Sequence, residues 1–241
     1  MARVRTLRQA ATWIERVGLA LLLPKADVAL PSLWEQINGS PARDWAVRDD
    51  DGTFVRWREE MGILWRTKDE LPAQRLACVG RHAARAVACV APTLLPALVA
   101  AVGEAELDED EQRIVGALAD GGPLSAARLR RALGLEKRAV ERAVGALERK
   151  LVVTHAGLVE EGTGWDAVAY DLVSRIWPMS SAPSREEARR TLAATVLASA
   201  GELTAADLRG IFGWAARDAG AVLDGVAEGR DAGGFRIWTG S

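Results

Sequence analysis

The sequence predicts a mainly α-helical protein with small β wings, built from tandem winged helix-turn-helix modules. Three observations carry that expectation. Pro123 to Leu135 (PLSAARLRRALGL) and Glu202 to Trp214 (ELTAADLRGIFGW) align without a gap at an offset of 79 residues. Each copy follows an apolar repeat of helical spacing: Ile114, Val115 and Leu118 before the first, Leu192, Val196 and Ala200 before the second. After Lys150 the pattern turns β-branched and then alternating, as a strand pair requires.

Composition sets the outer bounds. The 241 residues are 49% hydrophobic and 27% charged, with a net charge of -2. A chain of that length buries enough surface to fold without a metal or disulfides. Disordered, collagen-like and cysteine-stapled classes are excluded. A pI near 5.9 argues against an indiscriminate polyanion binder and leaves room for basic charge on one face.

The chain divides into an N-terminal α/β domain at 1–104 (a degenerate winged-helix-like unit), a winged helix-turn-helix at 105–180, and a second with a short wing at 181–241. In the first, Leu7, Ala11 and Ile14 mark a helix over about 6–17, followed by a buried strand at 19–23. Arg3, Arg5 and Arg8 precede the apolar run Val17 to Leu23, but Glu15 and Arg16 abut it, which favours helix and strand over a secretory leader. Pro24 and Pro31 break the chain before a short helix at Leu33–Ile37, and residues 49–52 read as a solvated loop. Trp57 to Trp65 reads as strand-like or irregular. Leu71 to Leu98 reads as further helix interrupted by Pro92 and Pro96. On a helix over 74–90, Cys78, His82 and Cys89 would share a face, yet so few ligands at that spacing are expected to be core groups, not a metal site. Unpaired cysteines and the lack of a membrane-length apolar run fit a cytoplasmic protein.

Residues 104–111 carry six carboxylates and read as a linker leading into a solvated helix start. Ser125 and Thr204 are N-cap residues, Thr204 with Asp207 and Ser184 with Glu187 have capping-box spacing, and Gly134 and Gly213 end the short helices. A helix from Lys137 to Lys150 buries Val140, Ala143, Val144 and Leu147. The wing follows at Leu151–Thr154 and Asp166–Tyr170, with its loop over His155–Trp165 on the flank. Residues 178–184 form a linker, and Phe235–Trp238 is the shorter second wing.

Charge singles out the Lys137 helix. Between Arg128 and Lys150 stand eight basic residues and three acidic ones. Arg138, Arg142 and Arg149 fall on one helical face, with Lys137 beside them and Arg128 and Arg131 on the preceding helix. That helix is the groove reader of a helix-turn-helix, so the six are the candidate DNA contacts. The bland alternative is a solvated basic face laced by Glu141 and Glu148. The matching helix of the second copy keeps mainly Arg217, beside Asp218 and Asp224, and reads as a packing module. Trp57, Glu59 and Trp65 are candidates for contact with a base or lesion, with core packing as the default for the aromatics. No GxSxG, P-loop or GxGxxG occurs. Asp50, Asp51, Glu59 and Glu60 are the candidate carboxylates for activating water.

After the wing, Tyr170-Asp171-Leu172, Arg175 and Pro178 spell YDLxxRxxP. This resembles the pattern in AlkZ/YcaQ-type winged-helix DNA glycosylases, which unhook interstrand crosslinks and excise alkylated bases. The shorter AlkZ-related proteins are closer still, because LPSLW (Leu30 to Trp34), a Trp-rich stretch at 57–65 and FGW (Phe212 to Trp214) occur in the same order. The resemblance implies tandem winged helices around a concave basic surface. It also implies a catalytic Gln-x-Gln or Gln-x-Asp after the first helix, where this chain has Leu21 and Leu23. A Trp-x-His-Glu pattern of the larger enzymes is matched by Trp57-Arg58-Glu59-Glu60, without the His. Leucines cannot orient or deprotonate water, so the expectation is double-stranded DNA binding without base excision, with no catalytic residues, cofactor or metal. The alternatives are a glycosylase with a non-standard site at Glu59 or Glu60, and a protein-interaction scaffold.

Overall fold

The computed structural model describes residues 3–162 and 166–228. The first helix, α1 (Leu7–Val17), starts at a capping box between Thr6 and Gln9 and stops at Gly18. It leads into β1 (Leu19–Leu21), whose three side chains are all buried. Then come α2 (Leu33–Asn38), the exposed hairpin β2 (Ala46–Arg48) and β3 (Phe54–Trp57), α3 (Glu59–Ala73), β4 (Cys78–Ala83), β5 (Ala86–Val90) and α4 (Leu95–Val102). The strands β1, β5 and β4 form one antiparallel sheet in that order.

The middle of the chain repeats the plan. It runs α5 (Glu109–Gly121), β6 (Leu124–Ser125), α6 (Ala126–Leu133), α7 (Lys137–Arg149), β7 (Val153–Val159) and β8 (Ala167–Leu172), with sheet order β6-β8-β7. Both units therefore read helix, strand, helix, helix, hairpin, and the first carries β2–β3 as an insertion between its second and third helices. After α8 (Val173–Ile176), the last part is α9 (Arg185–Ala200), α10 (Ala205–Phe212) and α11 (Ala216–Glu228).

The internal repeat holds at the level of single caps. Ser125 caps α6 through the Arg128 amide, Thr204 caps α10 through the Asp207 amide, and Gly134 and Gly213 both close their helices in the left-handed region. Ser184 and Glu187 form the capping box of α9. The expected strand at Phe235–Trp238 and the wing tip at Thr163–Trp165 lie outside the described residues.

Packing groups these elements into two cores. One unites residues from Val4 to Ala101 with side chains of α9, α10 and α11. The other belongs to the middle unit and is built from Ile114, Leu118, Leu129, Val140, Ala143, Val144, Leu147 and Val153. No helix among the described residues is long and apolar enough to cross a membrane.

Three expectations are corrected. Residues 74–90 are not helical: they form the β4–β5 hairpin, turned at Ala84 and Arg85 with φ of 52° at both. Alanine-rich composition hid this, because a two-residue turn of this kind usually announces itself with Asn or Gly. Residues 59–65 begin α3 instead of continuing a strand. Met61, Leu64, Lys68 and Leu71 face inward at helical spacing, and Glu59 and Glu60 suit the positive end of the helix. Pro96 opens α4 in its first turn and does not interrupt it. In addition, Glu111 is not solvated: it closes the capping box of α5 and receives the Lys150 ammonium at 2.6 Å.

Candidate nucleic-acid interface

The helix α7 is sharply two-sided. Val140, Ala143, Val144 and Leu147 enter the middle core, while Lys137, Arg138, Arg142 and Arg149 point to solvent. Neighbouring acids take up part of this charge. Lys137 lies 3.8 Å from Glu141, and Arg142 lies 3.5 Å from Asp110 at the start of α5. Both pairs are exposed and weak. Arg138 and Arg149 have no ion-pair partner among the described residues.

Arg128 and Arg131 are committed more firmly. Both grip Glu161, at 3.4 and 2.9 Å, and Arg128 also donates to the Glu160 carbonyl at 2.6 Å. These two arginines thus anchor the loop between β7 and β8 to α6.

A cation from outside the helix-turn-helix segment joins the stripe. Arg81, on β4, brings its guanidinium to within 3.3 Å of where a β-carbon on Gly145 would sit, and Arg149 approaches the same point to 3.5 Å. Side chains from two units thus converge on α7. Nothing in the local sequence around Arg81 signals this, because it depends on how β4 docks.

The docking itself is polar and buried. Glu148 of α7 is 2% exposed. It accepts the Arg81 backbone N–H at 3.2 Å and sits 3.1 Å from His155 Nε2 of β7. Burial opposes ionisation of this carboxyl, but the hydrogen bond and charge of His155, with His82 and the Arg81 amide, hold its pKa below the ordinary value. His82 Nδ1 donates to the Glu148 carbonyl at 2.7 Å. Burial pushes the His82 pKa down to about 4, so the ring is neutral and its Nε2 is an acceptor. Thr154 spends its proton on the Val79 carbonyl, so the single Cys78 thiol proton faces two acceptors, Thr154 Oγ1 at 3.2 Å and His82 Nε2 at 3.4 Å. Gly80 makes room: a β-carbon there would stand 2.6 Å from His82 Nε2. Cys78 and His82 therefore do meet, but along a strand and as a hydrogen-bonded core pair. Both cysteine thiols are raised to about 12 by burial.

The tryptophan candidates are not brought together. Trp57 is exposed at the end of β3 and meets Phe54 edge-on at 5.0 Å. Glu59 borders a depression with Arg48 and Arg56, whereas Trp65 borders a different cavity with Leu23, Pro24 and His155. Three aspartates, Asp49 to Asp51, occupy the β2–β3 turn and repel phosphate. Glu60 is held below the usual carboxylate range by its own backbone amide, and by Arg5 and Arg58 at 3.5 and 3.6 Å. Leu21 is fully buried in β1 opposite Ala88.

The YDLxxRxxP residues have a structural role. Arg175 pairs with buried Asp171 at 2.9 Å and donates to the Leu118 and Ala119 carbonyls at 2.9 and 2.7 Å, closing the end of α5. In LPSLW, Ser32 caps α2 and Trp34 is buried, donating to the Ala42 carbonyl. In FGW, Phe212 and Trp214 stack at 4.7 Å across the Gly213 cap.

Comparison with known proteins gives a consistent picture. The family model described as AlkZ related matches residues 4–213. Among solved structures, the DNA glycosylase AlkZ of Streptomyces sahachiroi is similar in fold, with a TM-score of 0.55 at 12% identity. The match covers 94% of this chain and 62% of that one, so the chain spans less than two thirds of that protein's length. No curated protein matches the sequence.

Proposed function

The chain belongs to the AlkZ-related family, and from that premise we propose that it binds duplex or damaged DNA through α7 without excising bases. In this reading the two helix–strand–helix–helix–hairpin units and the α9 to α11 unit are winged helix-turn-helix modules. The observation that carries it is the stripe of Arg138, Arg142 and Arg149 on the solvent face of α7, extended by Arg81. Phosphate contacts from four such groups give a salt slope of about -3.6 in log K against log[salt]. Arg128 and Arg131 hold the wing in place and contribute field more than direct contact. The protein is assigned to DNA repair in the cytoplasm, where Cys78 and Cys89 stay reduced.

The absence of excision rests on residue chemistry. Leu21 and Leu23 offer no hydrogen-bonding group, and Glu60 is already engaged by two arginines. Incubation with alkylated and crosslinked duplexes tests this: retention on the DNA with no abasic sites is expected. Accumulating abasic sites would overturn it in favour of a glycosylase with a relocated site.

A scaffold reading is favoured by one feature, the β2–β3 hairpin. It exposes Phe54, Val55 and Trp57 beside its acidic turn, a surface suited to a protein partner and not to DNA.

A further inference from the structure

A cavity of about 360 Å³ opens among the end of β1, α3, β5 and β7. Its walls are apolar, chiefly Leu23, Pro24 and Val87, and Trp65 stands at its edge 47% exposed. The polar groups on its lining are Lys25, Arg43, Lys68 and His155, and none of the lining residues is acidic.

The partners of those cations leave charge to spare. Lys25 Nζ donates to the Ala84 carbonyl at 2.6 Å, and Arg43 Nη2 donates to the Pro24 carbonyl at 2.5 Å. Each uses one donor on a neutral oxygen, out of three for an ammonium and five for a guanidinium. Lys68 pairs with Asp69 and lies 5.3 Å from the centre of the Trp65 ring. A cation on a ring favours an indole held in one orientation. An apolar slot with a half-exposed indole at its edge takes a flat ring, and uncompensated cations take a negative group.

We propose that this cavity binds a planar aromatic anion, its ring packed against Trp65 and the Leu23–Pro24 wall and its anionic group on Arg43 and Lys25. The site is separate from the arginine stripe of α7 and stands whether or not the protein binds DNA. Two sources share the chemistry, a free aromatic acid and a nucleotide.

Calorimetric titration of the full chain with 2-naphthoate and, separately, with thymidine 5′-monophosphate distinguishes them. Saturable one-to-one binding of either supports the site, and the tighter probe identifies the source. Neutral 2-naphthamide is expected to bind at least about tenfold more weakly than 2-naphthoate. Trp65→Ala and Arg43→Ala alter exposed side chains, so folding should persist by circular dichroism while affinity falls about tenfold in each. No saturable binding of either anion below about 1 mM overturns the proposal. So does equal binding of the amide, or affinity untouched by both substitutions.

Discussion

His155 Nε2 lies 3.1 Å from Glu148 Oε1, joining β7 to the C-terminal half of α7 at the place where β4 docks. The same carboxylate takes the Arg81 amide, and the carbonyl of Glu148 takes His82. One residue of α7 is thus tied to strands of two units. Its neighbour Arg149 stays free in solvent. The face of α7 that anchors and the face that offers charge are different faces, and this division lets a slightly acidic protein present a basic stripe.

Acid should loosen this junction. The His82 pKa is depressed in the folded state, so its contribution is present above the ordinary value of 6.5 and is lost as pH falls toward about 4. The loss is of the order of 3 kcal/mol. Glu148, also depressed, adds to it at lower pH. Thermal melts from neutral pH to acid should show a steep fall in wild type and a flatter one in His82→Asn. Parallel curves would contradict the assignment.

Arg175 closes α5 and neutralises buried Asp171, so Arg175→Ala leaves both a charge and two carbonyls without their partner. A loss of about 3 kcal/mol in urea unfolding is expected. Asp171→Asn, which keeps the helix closure, should cost less. Equal effects would place the energy in the pair alone.

The β4–β5 turn stores strain at Arg85, an exposed residue with φ of 52°. Arg85→Gly relieves it, partly offset by the freer unfolded chain, for a net gain of up to about 1 kcal/mol. A lower melting temperature would show that the arginine side chain matters there.

Asp110 shadows Arg142 at 3.5 Å. Asp110→Asn should free that guanidinium and tighten DNA binding by up to about fivefold, the range of an exposed pair. Weaker binding would mean that Asp110 positions Arg142 productively.

Much of this architecture was legible in the chain because it is written locally. Ser125 and Gly134 bracket α6, Thr204 and Gly213 bracket α10, and the apolar spacing of Val140 to Leu147 orients α7. What was hidden is written in tertiary contacts. The Ala84–Arg85 turn carries no Asn or Gly, so the hairpin passed for helix. Trp57 and Trp65, the most visible residues of their stretch, are surface groups that masked the inward set Met61, Leu64, Lys68 and Leu71. The capture of Arg128 and Arg131 by Glu161, thirty or more positions away, and the arrival of Arg81 at Gly145 depend on docking that no spacing reveals.

Fluorescence anisotropy of a labelled duplex, titrated with wild type and with Arg138→Ala/Arg142→Ala/Arg149→Ala, probes the outward charge of α7 directly. Wild-type affinity should fall by about a hundredfold between about 50 and 200 mM salt. In the triple variant the salt slope should shrink by about one for each arginine removed, to about -1. An affinity and slope unchanged by the three substitutions, or no duplex binding by the wild type, would contradict the account.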